Sequence, residues 1–387
     1  MNIIFVSTAK FPDCDAEATR LSTFAKLLSG LGNNITFFGY SDTPYLEEEI
    51  IDENKYISIR KKLDNKATKI FYRYYKTPIE IIKYLDIYIK KHPIDVIIMS
   101  DLSNGLIRSL KKFSKKNHIN LIMDSVEWYS PSQYKLGIFS PLMIEKNIEA
   151  RYLINKDVRV IAISKYLQNY FESKNCSCIR VPVILDVKNM KCDKDIDEDK
   201  LTLLYAGSPG KKDHIKEILE GIALLDDKDI RKIKFILAGV KESDVKLILS
   251  SRDYMRIENS IECLGRISHE DVLKLLKKVD FTVLLRASQE RYAKAGFPTK
   301  VVESLSTATP VILNYSSDLS DYIRDKCEGI IVDACSSYSF SESLKVALRL
   351  TNKEKIKMKK NARLCAENNF DYRKYESMFD SLIKNNI

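Results

Sequence analysis

Short apolar runs alternate along this chain with longer segments whose apolar residues fall at helical spacing. Residues 2–8 (NIIFVST) read as a strand covered on both faces. A polar loop, 10–15, follows. Over 16–29 the apolar residues Leu21, Phe24, Ala25, Leu27 and Leu28 share one helical face, and Gly30 and Gly32 stand where a helix would stop. Residues 34–40 are the next strand. A strand, a helix and a second strand make a right-handed crossover, which calls for a parallel sheet. The alternation continues through strand-like runs at 95–99, 120–124 and 158–163.

The stretch 188–200 (KNMKCDKDIDEDK) breaks this rhythm, being charged and nearly free of apolar residues. A second series then begins, with strand-like runs at 201–206, 234–238, 261–264, 280–285, 310–314 and 329–333. From 352 onward the pattern is helical, with a break expected near 369–371. The pattern predicts an α/β protein of two doubly wound, Rossmann-like parallel-sheet domains. The expected parts are an amino-terminal domain over 1–190, a linker at 191–200 and a carboxy-terminal domain over 201–368. A last helix over 369–387 is expected to cross back to the first domain. Ligands of such sheets bind beyond the carboxyl ends of the strands, so two facing domains would share a cleft.

A length of 387 residues is too great for one ordinary core and comfortable for two. No apolar run has the length of a membrane span. The run Ile3–Val6 is too short for a signal-peptide core and has no cationic region before it. A cytoplasmic protein is therefore expected. Eight cysteines contain no CxxC pair, and four histidines contain no HxxxH pair, so no metal site and no cofactor is expected.

The net charge is +10, and its placement changes the picture. Between Lys55 and Lys116 sixteen Lys or Arg stand against five Asp or Glu, which is the whole imbalance. Tyr56, Phe71, Tyr72, Tyr74, Tyr75, Tyr84 and Tyr88 are interspersed. Two readings fit: a solvated lysine face over half-buried tyrosines, or peripheral contact with anionic lipid at about 1 kcal/mol per cation. No recognised nucleic-acid module is present, so no nucleic-acid partner is expected.

The segment 283–314 (VLLRASQERYAKAGFPTKVVESLSTATPVILN) concentrates the chemistry. A strand ends at Leu285, a polar loop follows, and Ala295-Gly296-Phe297 leads to Pro298, placed at the first turn of a helix. Free N–H groups at that helix start would suit an anion. Lys300 lies in the first turn, and Glu303 one turn further on.

This segment resembles the donor-binding signature of retaining GT-B glycosyltransferases of family four. More narrowly it resembles the subset reading A-G-F-P-T-K-x-x-E, found among enzymes of capsule and lipopolysaccharide assembly. FPDCDAEATRL (11–21), YAGSPGKKDHIKEILEGI (205–222), IECLGRISHEDVLKLLKKVDFTVLLR (261–286) and SDLSDYIRDKCEGIIVD (317–333) are similar to further parts of the family. The resemblance implies that Glu303 holds the donor ribose hydroxyls and that Gly296, Phe297, Pro298 and Thr299 offer backbone amides to the diphosphate. It implies that Gly207 lets the chain pass close to the nucleotide and that Lys212, or its neighbour Lys211, bears on the phosphate. Arg286 and Lys300 are further phosphate cations.

Two positions depart from the family: Ala295 stands where an acidic residue usually faces the sugar, and Ser208 where an arginine usually follows the glycine.

In the first half, Asp124, Glu127 and Trp128 follow a strand end. Trp128 reads either as a platform for a sugar or acceptor or as a core aromatic. Asp124 and Glu127 read as hydroxyl binders with a catalytic role, or Asp124 as a helix cap. Ala16 and Arg20, at the start of the first helix, are acceptor candidates. Asp195 and Asp197 imitate a metal-binding DxD, but fall in the expected linker and read as solvated.

The resemblance implies transfer of a sugar with retention, from a nucleotide-sugar, uridine-linked by family habit, to a lipid-linked or oligosaccharide acceptor. Lys212, Arg286 and Lys300 would stabilise the departing diphosphate without a metal. The leaving phosphate would take the acceptor's proton, and domain closure would exclude water. A nucleotide-sugar epimerase of similar fold and a non-catalytic binding subunit are the alternatives.

Overall fold

The computed structural model describes residues 1–11, 15–51, 54–61, 65–190, 200–207, 210 and 212–384. The chain divides into two compact units, Met1–Ile184 with Tyr372–Ile387, and Leu185–Asp371. The stretch 191–199, including Asp195 and Asp197, lies outside the described residues, as do Ser208 and Lys211.

The first unit is built on eight strands: β1 (Asn2–Lys10), β2 (Asn34–Tyr40), β3 (Glu48–Ile51), β4 (Asn54–Ser58), β5 (Val96–Ser100), β6 (Asn120–Ser125), β7 (Arg159–Ala162) and β8 (Cys178–Arg180). Their order is β3-β4-β2-β1-β5-β6-β7-β8, and every pairing is parallel except β3 with β4. The helix Ala16–Gly30 makes the crossover between β1 and β2. Its start is capped by Asp15, whose carboxylate accepts from the Ala18 amide. Phe24 lies on the buried face of that helix and meets Phe379 of the final helix, Glu376–Lys384, at 4.8 Å between ring centroids. With Phe379, Leu382 and Ile383, the chain end thus completes the hydrophobic core of the first unit. The pattern did not predict β3: its sequence EEII has no apolar run, and it forms as a largely exposed edge strand paired with β4.

The second unit has β9 (Leu201–Ala206), β10 (Ile233–Ala238), β11 (Ile261–Gly265), β12 (Phe281–Leu284), β13 (Val311–Leu313) and β14 (Gly329–Ile331). Their order is β11-β10-β9-β12-β13-β14, all parallel. Phe235, Phe281 and Phe340 are fully enclosed in its core. The strand order reverses direction between β9 and β12 here, and between β1 and β5 in the first unit. At such a switch point the two outgoing connections leave on opposite faces and open a crevice at the carboxyl edge. Among the described residues no helix is long and apolar enough to cross a membrane.

Candidate active site

The switch point of the second unit is crowded with charge. Directly after β9 comes Gly207, at φ +151°, a backbone state that favours glycine. A Cβ there would lie 2.7 Å from Lys300 Nζ. Lys300 comes from the first turn of the helix Thr299–Ser306. Its ammonium donates to Asp213 Oδ2 at 2.8 Å and sits 4.4 Å from the centre of the Tyr205 ring, a cation over an aromatic face. The Tyr205 hydroxyl donates to the same carboxylate oxygen at 2.8 Å. Arg286, two residues past β12, brings Nε to 3.4 Å from Asp213 Oδ1. Asp213 Oδ1 and Arg286 Nε are both buried, and neither makes a hydrogen bond, so this pair has bonding capacity in reserve.

Burial pushes the Asp213 carboxyl up, but Lys300 and Arg286 outweigh burial and hold it below the usual carboxylate range. Burial lowers the Lys300 ammonium; Arg286 and Lys212 push the same way, while Asp213 opposes them. Lys212 is therefore close enough to act on Lys300 electrostatically. Two cations at one carboxylate, with Lys212 acting on one of them, leave a net positive site beside a glycine, with a helix start next to it. Such a site suits a polyanion.

Glu303 follows Lys300 by three positions and so shares its face of the helix. The two line one recess with Leu204, Ala206, Leu276 and Thr282. The Glu303 side chain is 13% exposed, and its Oε1 lies 2.8 Å from Nε2 of His269, at the start of the helix His269–Leu276. A carboxylate held at the rim with one oxygen engaged can accept hydroxyl donors on the other.

The loop before this helix differs from expectation. The helix begins at Thr299, and Pro298 is an extended cap residue with φ −78° and ψ 106°. Proline has no N–H, so it offers nothing to a diphosphate. The Gly296 amide donates to the Tyr292 carbonyl at 3.0 Å, closing the short helix Arg291–Ala295. The Phe297 ring packs against Tyr322 and Phe370, with centroids at 5.8 and 5.9 Å. Phe297 and Thr299 are left as the amides of this stretch that could meet phosphate. Ala295 is fully buried.

Sequence reasoning missed Asp213, Tyr205, His269 and Asn314. Asn314 stands at the carboxyl end of β13 and bonds Arg286 twice: Oδ1 accepts from the Arg286 amide at 2.8 Å, and Nδ2 donates to the Arg286 carbonyl at 2.7 Å. Its strand-end position was the available signal. Asp213 had only its place behind two lysines.

In the first unit, Arg20 and Asp124 bind each other. Arg20 Nε and Nη2 donate to the two Asp124 oxygens at 2.9 Å each, and the guanidinium also donates to the Val181 and Pro182 carbonyls. Both residues are almost wholly buried. This bidentate pair ties the first helix to β6 and, with the two carbonyls, engages every nitrogen of the guanidinium inside the unit. Trp128 is the core aromatic of its two readings. It is buried, its Nε1 donates to Asn147 Oδ1 at 3.0 Å, and its ring meets Tyr170 at 4.5 Å. Glu127 and Ala16 are exposed.

The carboxyl edge at β1 and β5 has its own polar group, which sequence reasoning did not single out. The Ser7 hydroxyl donates to Glu17 Oε1 at 2.7 Å, and Thr8 donates to Asp101 Oδ2 at 3.1 Å. Lys146 joins Asp101 at 3.1 Å and Glu149 at 3.0 Å. Asp101 itself adopts φ +44°. Burial first, then the neighbouring Asp101, raises the Glu17 carboxyl to about 7.

The family described as Glycosyl transferases group 1 matches residues 186–364. No curated protein matches the chain in sequence. Among solved structures, sucrose-phosphate synthase from Thermosynechococcus elongatus is similar at TM-score 0.72 and 14% identity, covering 98% of each chain. WaaG, a glycosyltransferase involved in lipopolysaccharide biosynthesis, is similar at 0.70 and 13%, covering 99% of this chain and 100% of its own. HepE of Anabaena, in complex with UDP and glucose, is similar at 0.67 and 12%, covering 98% of each chain. At these identities the likeness concerns the fold. The two doubly wound units are those of the GT-B fold, and residues 186–364 are similar to the group 1 glycosyl transferase family.

Proposed function

We propose that this protein is a retaining glycosyltransferase that moves a sugar from a uridine-diphosphate donor to a glycan or lipid-linked acceptor during bacterial surface-polysaccharide assembly. The observation that carries this reading is the convergence of Gly207, Lys300, Arg286 and Glu303 at the switch point of the group 1 domain. Similarity to WaaG and to the UDP complex of HepE supports the donor class and the setting.

In this reading Glu303 accepts the ribose hydroxyls and Lys300, Arg286 and Lys212 face the diphosphate. As the bond from the anomeric carbon to the phosphate oxygen breaks, negative charge grows on the leaving diphosphate. Lys300, held by Asp213, and Arg286, whose main chain Asn314 holds, stabilise that charge with little reorganisation. The acceptor hydroxyl forms the new bond on the same face and passes its proton to the departing phosphate. The chemistry requires no pair of protein carboxylates, unlike glycoside hydrolysis, and side-chain cations take the place of a metal. The donor places the reaction in the cytoplasm.

The test is a thermal-shift screen of nucleotide-sugars, followed by an assay of nucleotide release with and without membrane extract. Release that depends on the extract supports transfer. Conversion of the donor with no acceptor would make the protein an epimerase, and binding without release would make it a non-catalytic subunit.

A further inference from the structure

The largely buried carboxylate of Glu303 has one hydrogen-bond partner among the described residues, and that partner comes from a distant part of the chain. His269 Nε2 lies 2.8 Å from Glu303 Oε1. A carboxylate can only accept, so Nε2 is the protonated nitrogen of the ring. Lys300, one turn before Glu303, gives its ammonium to Asp213 instead.

The main chain fixes where His269 stands. β11 ends at Gly265, in the left-handed region at φ +59°. The Gly265 amide donates to the Val240 carbonyl at 3.0 Å, and its carbonyl accepts from the Gly239 amide at 2.6 Å. The loop after β11 is thus tied to the loop after β10. Ser268 then caps the helix His269–Leu276, its hydroxyl oxygen accepting from the Asp271 amide at 3.1 Å. Leu276, at the other end of that helix, is buried in a cluster with Leu204 and Ala238. With both ends of the helix anchored, the imidazole meets the helix Thr299–Ser306 at a set place.

An exposed histidine beside a carboxylate contributes little to stability. Its effect falls on the orientation of the carboxylate. A glutamate side chain is long and rotates freely unless held. Its two oxygens offer about four acceptor positions. A donor on Oε1 takes one of them and fixes the side chain, which leaves Oε2 at the rim of the recess.

We infer that His269 is a positioning residue for the donor ribose: it holds Oε1 of Glu303 and so turns Oε2 toward the ribose hydroxyl pair, which makes the site selective for ribonucleotides over deoxyribonucleotides. The inference rests on the ribose role of Glu303 proposed above and adds the group that sets its geometry. Without the imidazole the carboxylate samples several rotamers and must be ordered each time a donor binds. A ligand that lacks both hydroxyls gains nothing from that order.

Titration calorimetry of the full chain with UDP and with dideoxy-UDP, which lacks both ribose hydroxyls, tests the inference. Wild type is expected to bind UDP about 10–100-fold more tightly than dideoxy-UDP. H269A is expected to bind UDP about three- to tenfold more weakly than wild type. It should bind dideoxy-UDP as wild type does and melt at the wild-type temperature. H269Q places an amide donor where Nε2 stands and should restore UDP affinity; H269N, whose amide is one bond shorter, should not. Unchanged UDP affinity in H269A, an equal loss for both ligands, or a recovery in H269Q no greater than in H269N would overturn the inference and leave Glu303 in its role. If E303A keeps the wild-type preference for UDP over dideoxy-UDP, the ribose reading is refuted, and the inference falls with it.

Discussion

Replacing Gly207 with alanine probes the candidate donor site at its tightest point. Two separate costs meet there. The backbone sits at φ +151°, where a residue with a Cβ is strained by about 1–3 kcal/mol. The new methyl would also lie 2.7 Å from Lys300 Nζ, so the ammonium must retreat from its 2.8 Å bond to Asp213. For a unit of this size, strain alone predicts a fall in melting temperature of roughly 3–10 °C. Displacement of the ammonium predicts about tenfold weaker binding of UDP, near 1.4 kcal/mol. Calorimetry for melting and titration calorimetry for UDP read the two effects separately. A double-mutant cycle with Lys300→Ala then divides them. With the ammonium gone, Gly207→Ala should retain its strain but lose its extra penalty on UDP binding, giving a coupling of about 0.5–3 kcal/mol. If Gly207→Ala binds UDP as wild type does, or if the two changes are additive, the close approach of glycine and lysine has no part in donor binding.

Three other outcomes follow from the same geometry. Glu303→Ala should weaken UDP binding by about 10–100-fold, the loss of hydrogen bonds to a charged group, and unchanged affinity in titration calorimetry would remove its ribose role. Lys212→Ala should depress kcat more than it raises KM, because its charge matters most as the diphosphate departs; an equal loss from Lys211→Ala in the same steady-state assay would move the role to that residue. Glu17 ionises at about 7 in the fold against an ordinary 4.5, so its contribution to stability is full below 4.5 and lost as pH rises through 7. Glu17→Gln should therefore raise stability by roughly 3 kcal/mol at pH 8 relative to pH 4 to 5, measured by denaturant titration, and an unchanged pH profile would contradict it.

Much of the architecture was legible in the chain. Near-continuous apolar runs such as IIFV in β1 and LTLLYA at β9 suit strands covered on both faces, and their alternation with helical spacing calls for doubly wound sheets. All six strands of the second unit fall on predicted runs. The edge strand β3 was not legible, because its pairing with β4 comes from main-chain bonds and leaves no apolar pattern. Pro298 was placed one position too far into its helix, because a proline before a helix fits a cap and a first turn equally well.

The sequence by itself determined which residues stand at strand ends and helix starts, and so which lie at the edge where such sheets bind ligands: Arg286 was found from its strand end, Lys300 from its helix start, and Gly207 from the resemblance to a family. Only the tertiary structure decided what each polar group does there. Arg20 and Asp124 looked equally available for a ligand in the sequence, yet each satisfies the other in the interior. Asp213 looked like one more charge in a polar loop, yet it anchors Lys300 and stands beside Arg286. The reason is physical. Local pattern reports which face of an element is buried, but the partner of a buried charge comes from a distant part of the chain. Desolvation makes that partner decisive.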